Sequence, residues 1–158
     1  NTTYFGTGKE FAELASQGHE IGLHGSCKEM NHLDAEEYRS HLQRSLAFLE
    51  SSIGPRISTY AYPCGKTGRP EEPMIYRDVV AEWAIAARGT QGGATPAHRM
   101  DVFNTRSMGA VGMVPEASTQ RRLNLLKDDR RKPEHSSYRG WAVCLYHGVK
   151  DPEKKAAV

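Results

Sequence analysis

Thr2-Thr-Tyr-Phe-Gly-Thr-Gly-Lys-Glu-Phe-Ala-Glu-Leu-Ala-Ser-Gln-Gly-His-Glu-Ile-Gly-Leu-His24 reads as strand, helix and strand in immediate succession. Thr2 to Phe5 is short, β-branched and aromatic, as a strand requires. Thr7 and Glu10 form a capping box ahead of Phe11, Leu14 and Ala15, which predicts a helix. Gly18 ends that helix, and Ile21-Gly-Leu-His24 reads as the next strand.

The same order continues downstream. After a polar loop, Asp34 caps a second helix with Glu37, and Tyr38, Leu42, Leu46, Leu49 and Ile53 recur at helical spacing. Gly54-Pro55 stops it, and Ile57-Ser-Thr-Tyr-Ala-Tyr62 follows as a strand ending at Pro63. The Gly65–Pro73 stretch is a loop, followed by a helix carrying Ile75, Val79, Val80 and Trp83, then a small-residue strand, Ala84-Ile-Ala-Ala87. Gly89 to Pro96 reads as a surface loop, and Asp101 to Val114 as a short strand with irregular flanks. Ala117 to Lys127 has the pattern of a helix, the charged tail 127–132 that of a solvated face, and Trp141-Ala-Val-Cys-Leu-Tyr146 that of a buried strand. Strands alternating with helices imply βα units, a largely parallel sheet or barrel, and an α/β fold.

With 158 residues, 38% hydrophobic and 25% charged, the chain fits one globular domain and lacks the composition of disorder. No apolar run approaches the ~18 residues of a membrane helix, and Asn1-Thr-Thr-Tyr-Phe-Gly6 is not a signal peptide. The absence of an initiating Met and a start inside an element suggest a mature or truncated piece, which leaves the compartment open. A net charge of +2 is too balanced for a general nucleic-acid binder and favours a small molecule or neutral polymer as partner. Cys27, Cys64 and Cys144 are odd in number and far apart, so no disulfide framework is expected.

Polar residues at strand ends are the candidates for chemistry, because parallel α/β folds gather function there. They are His24, then Tyr62-Pro63-Cys64, Arg88 and His147. Any one of them alone is more often a structural side chain; their shared placement is what points to a site. His24 and His32 flank Cys27 in a polar loop, where two imidazoles and a thiolate could hold zinc, although Cys27 alone would serve as a small buried hydrophobe. His147, before Gly148, suits a general acid. His19 sits at a turn; His41, on the exposed side of its helix, and His98 and His135, in loops, receive no role.

Together these stretches resemble the polysaccharide deacetylase family. Gly18-His-Glu-Ile-Gly-Leu-His24 resembles its second motif, Ala61-Tyr-Pro-Cys-Gly65 its third, Ala86-Ala-Arg-Gly89 a following strand end, and Gly140-Trp-Ala-Val-Cys-Leu-Tyr-His147 its last. The resemblance implies a distorted, incomplete (β/α) barrel and a divalent metal, usually zinc, that activates water for removal of acetyl groups from a glycan. It makes His24, with His32, the metal histidines and His147 the acid. It makes the Cys64 backbone N–H an oxyanion donor, of a kind worth about 2.7–4 kcal/mol. Tyr62 and Trp141 would line the sugar groove, with Arg88 at the substrate.

The chain departs from the family in three places. No Asp precedes Asp34, so the family's opening Asp-Asp motif, source of the base and carboxylate ligand, has no counterpart. Lys28 stands where a second histidine four residues after His24 would be, which makes His32 the substitute. Ala61-Tyr62 replaces Arg-Pro, so Arg88 or Arg106 takes over orientation of the base. Weak activity or none is the consequence expected for this chain. The competing readings are a degenerate carbohydrate-binding domain that keeps the groove aromatics, and a structural-zinc domain built on His24, Cys27 and His32.

Overall fold

The computed structural model describes residues 7–90, 95, 100–111, 120, 124, 141 and 143–146. The Thr2–Phe5 strand, most of the 117–127 helix, the 127–132 tail, His98, His135 and His147 lie outside these residues. The described elements are α1 (Gly8–Ser16), β1 (Leu23–His24), α2 (Cys27–Met30), α3 (Ala35–Ile53), β2 (Thr59–Ala61), a 3₁₀ turn (Pro63–Gly65), α4 (Ile75–Ala81), β3 (Ala86–Arg88), β4 (Ser107–Val111) and β5 (Val143–Tyr146). They fall into two compact units, Asn1–Gly89 with Asp101–Thr105, and Thr90–Met100 with Arg106–Val158.

In the first unit β1, β2 and β3 form a parallel sheet in that order. This is the mixed α/β architecture with parallel strands that the alternating sequence pattern implies. Leu23 pairs with Tyr60 and His24 with Ala61, while Tyr60 pairs with Ala87 and Ala61 with Arg88. Side chains in one register row of a parallel sheet share a face. Leu23, Tyr60 and Ala87 therefore form one row, and all three are buried in the core.

The helices cover that face. Both capping boxes read from the sequence are present: Thr7 accepts from the Glu10 backbone N–H and Asp34 from that of Glu37, with each glutamate returning to its cap residue. They satisfy helix-end N–H groups that would otherwise lack partners. The α3 stripe places Tyr38, Leu42 and Ile53 in the core, with Leu46 and Leu49 packed at its margin. Against α3 lie α1 and α4; α4 adds Tyr76, Val79 and Val80 to the core, whereas α1 buries no residue fully. The Tyr38 and Tyr76 rings stack at 4.1 Å, and Tyr60 meets Trp83 edge to face at 6.0 Å.

Three expectations change. The loop after His24 contains α2, a one-turn helix too short to leave a periodic signal. His41 is half-buried, with a 3.4 Å contact between its Nδ1 and the Ser45 hydroxyl, rather than lying on an exposed face. In the second unit β4 and β5 pair in parallel, yet Trp141 is 57% exposed and Cys144 is exposed, so the apolar run 141–146 is not a fully buried strand. No helix among the described residues is long and apolar enough to cross a membrane.

Candidate functional site at the strand ends

The row His24, Ala61, Arg88 lies on the sheet face opposite the core, at the C-terminal ends of three adjacent parallel strands. With strands about 4.8 Å apart, His24 and Arg88 stand about 10 Å from each other at Cα, separated by one methyl group.

His24 is exposed, and its Nδ1 lies 2.8 Å from the Ala61 carbonyl oxygen. A carbonyl can only accept, so Nδ1 carries the proton and donates it. In the neutral ring Nε2 then keeps its lone pair for a ligand, the arrangement found where backbone carbonyls orient metal-binding histidines. Arg88 is half-buried, and burial pushes its guanidinium below the ordinary arginine value without discharging it. Among the described residues it has no ion-pair partner. The backbone beside it is tied down: the Arg88 carbonyl accepts from the Tyr62 N–H at 3.0 Å, and Gly89 N–H donates to the Thr105 carbonyl at 2.9 Å.

The turn after β2 departs most from the sequence reading. Cys27 and Cys64 are joined in a disulfide, Cα–Cα 5.8 Å, which corrects the expectation of free cysteines. Its sulfurs are bonded to each other, so Cys27 is not a thiolate ligand and the structural-zinc reading on His24, Cys27 and His32 loses its sulfur donor. Sequence position hinted at the pairing, since each cysteine follows the end of one of two neighbouring strands. Cys64 has φ +53°, the left-handed region, and Gly65 follows at φ +68°.

Tyr62 is a core residue and not a groove wall. It is 0% exposed, its ring meets Tyr60 edge to face at 5.3 Å, and its hydroxyl has no partner among the described residues. Strand parity explains this, because Tyr60 and Tyr62 are two apart and face the same way, away from Ala61. Burial raises the Tyr62 hydroxyl well above the usual tyrosine range and keeps it protonated.

His32 is exposed in the turn between α2 and α3. Trp141 is exposed in the second unit, where its backbone pairs with Thr95 in both directions at 2.8–2.9 Å. Arg106 donates its backbone N–H to the Thr95 hydroxyl at 2.9 Å. No three His, Cys, Asp or Glu residues among the described ones are grouped to hold a metal. His24 fits an imidazole donor, but these residues do not complete a metal centre.

Residues 2–76 match the family model described as polysaccharide deacetylase, which supports assigning that part of the chain to the family. Among curated proteins, a gellan lyase from Bacillus sp is 34% identical over 152 residues, covering 89% of this chain and 6% of the relative. The chain thus spans about 6% of that relative's length. No solved structure matches.

Proposed function

We propose that the domain recognises an acetylated glycan at the His24, Ala61, Arg88 row, with hydrolytic removal of the acetyl group as its reaction class. The observation that carries this reading is the row itself: a histidine whose Nδ1 is held by a carbonyl and a half-buried cation, without an ion-pair partner among the described residues, flank a small residue at parallel strand ends. In acetyl hydrolysis, water adds to the carbonyl carbon, the carbonyl oxygen becomes an oxyanion, and the bond to the sugar nitrogen or oxygen breaks to release acetate. Arg88 supplies positive charge for that oxyanion in a partly dehydrated setting, where charge acts more strongly than in bulk water. Zinc, which the family resemblance implies, would take His24 and His32 as imidazole donors. The proposed general acid is His147, and the Cys64 N–H is proposed as a further oxyanion donor.

The relative's name supports a polysaccharide as the substrate class, and the parallel strands support an incomplete (β/α) barrel as the architecture. Glycan binding without hydrolysis is the second reading, favoured by the exposure of Trp141, whose ring offers a face to a sugar.

The test is calorimetric titration with N-acetylated chito-oligosaccharides and O-acetylated oligosaccharides, each paired with its deacetylated form, alongside an acetate-release assay with added zinc. The acetylated forms bind more tightly, and His24→Ala and Arg88→Gln each weaken binding tenfold or more, about 1.4 kcal/mol. Equal affinity for acetylated and deacetylated partners would refute acetyl recognition. Binding without acetate release would select the second reading.

A further inference from the structure

The disulfide joins the two loops that follow adjacent strand ends, and everything around it repeats that link. Cys27 opens α2, three residues after His24, and Cys64 sits in the turn three residues after Ala61. Asn31 at the end of α2 donates its side-chain N–H to the Pro63 carbonyl at 3.4 Å, and the Tyr60 hydroxyl points to the Met30 sulfur at 3.9 Å. Met30 is 1% exposed, so α2 is pinned by a core side chain on one side and by the disulfide on the other. Gly25 lets the chain pass: a Cβ there would overlap the Met30 sulfur and press on the Pro63 ring at 3.3 Å. Without the sulfur link, the 25–33 loop would keep the buried Met30, the long Asn31 bond to Pro63 and, at its far end, Leu33 against the core with its carbonyl accepting from the Tyr76 hydroxyl at 3.1 Å, which leaves the segment from Gly25 to Cys27 with the least to offset its ordering.

We infer that Cys27 and Cys64 are a positioning pair for the strand-end site: their disulfide clamps the loop carrying His32 onto the turn beside Ala61, and a dithiol can release it. Cys64 is exposed and Cys27 is half-buried, so a reductant can reach the bond. Release balances as thiol–disulfide exchange. A thiolate of the dithiol attacks the Cys64 sulfur, Cys27 leaves as a thiolate, and the second thiol closes on the mixed disulfide. The two cysteines end as thiols holding the dithiol's two electrons and two protons, and the reagent ends as a cyclic disulfide. The affinity part of this inference rests on the acetylated-glycan reading; the loop part does not.

The experiment uses the full chain in a Cys144→Ser background, oxidised, reduced with dithiothreitol, and reoxidised. Amide ¹H–¹⁵N spectra report the loops at 25–33 and 62–66 against α3 at 38–49, and titration with the acetylated oligosaccharide reports the site. Reduction is expected to shift or broaden the two loops, leave α3 in place and lower affinity at least tenfold, with all three restored on reoxidation. A Cys27→Ala/Cys64→Ala variant should match the reduced chain without the reagent. Loop signals unmoved by reduction would overturn the inference. So would collapse of α3 with the loops, which would make the bond a general staple, or disturbed loops with unchanged affinity. Absence of binding in both redox states would overturn the glycan reading, while the spectra would still decide whether the clamp exists.

Discussion

Two tyrosines in one cluster should respond oppositely to loss of a hydroxyl. Tyr38 and Tyr62 are both 0% exposed, and each Tyr→Phe change removes one oxygen and little volume. The Tyr38 hydroxyl meets that of Tyr60 at 2.8 Å, and Tyr60 continues toward Met30. Since Tyr60 donates toward the sulfur, Tyr38 is the donor to Tyr60, and Tyr38→Phe leaves a buried acceptor unserved. A net hydrogen bond contributes about 0.5–1.5 kcal/mol, and an orphaned buried group adds a desolvation penalty, so the expected loss is about 1–2 kcal/mol. Tyr62 has no partner among the described residues, so Tyr62→Phe removes a desolvated hydroxyl that gives nothing back. Its expected effect runs from about zero to a gain of about 1 kcal/mol. For a chain of this size 1 kcal/mol corresponds to roughly 2–4 °C in Tm. Urea and thermal unfolding followed by circular dichroism should place Tyr38→Phe about 2–8 °C below the parent and Tyr62→Phe at or above it. Equal losses for the two variants would refute the reasoning, as would a Tyr62→Phe loss of glycan affinity, because a side chain within the core does not touch the sugar.

Asp34→Ala removes the cap of α3 and should cost about 1 kcal/mol by urea titration, with Asp34→Asn recovering most of it. Leu42→Ala, at a position 1% exposed, should cost about 2–5 kcal/mol in the same assay. Arg39 holds the Glu82 carboxyl below the usual glutamate value through their hydrogen bond. The stability this gives is present above the unfolded carboxylate pKa and fades as pH falls through the lower folded value. Glu82→Gln should therefore lessen the loss of stability on acidification, and only slightly, because the pair is partly solvated and screened. An acid-unfolding profile unchanged in Glu82→Gln would remove the pair from the account.

What the sequence made legible was local. The Thr7/Glu10 and Asp34/Glu37 boxes lie within four residues, so residue type and spacing decide them, and the α3 stripe follows from helical period alone. The order of strands and helices in the first unit followed, and with it the placing of His24 and Arg88 at strand ends, but the end of β2 was read at Tyr62 to Cys64 whereas the row passes through Ala61. What was not legible depends on register between distant segments. The Cys27–Cys64 bond needs β1 and β2 side by side, and a count of three cysteines says nothing about that. Nor can hydropathy show that the Ala61 carbonyl lies 2.8 Å from the His24 ring. Tyr62 was within reach: alternation from the buried Tyr60 puts it in the core, but an aromatic at a strand end drew the reading toward a sugar groove. Trp141 to Tyr146 erred the other way, because an apolar run specifies strand propensity and not what covers the strand.

The most direct measurement is the long-range ¹H–¹⁵N spectrum of the His24 ring, free and with the acetylated oligosaccharide and zinc. The expected result is a proton on Nδ1, held by the Ala61 carbonyl, and an Nε2 resonance that moves on addition while the ring of His19 does not. A proton on Nε2, or an Nε2 resonance that stays in place at saturating ligand, would contradict it.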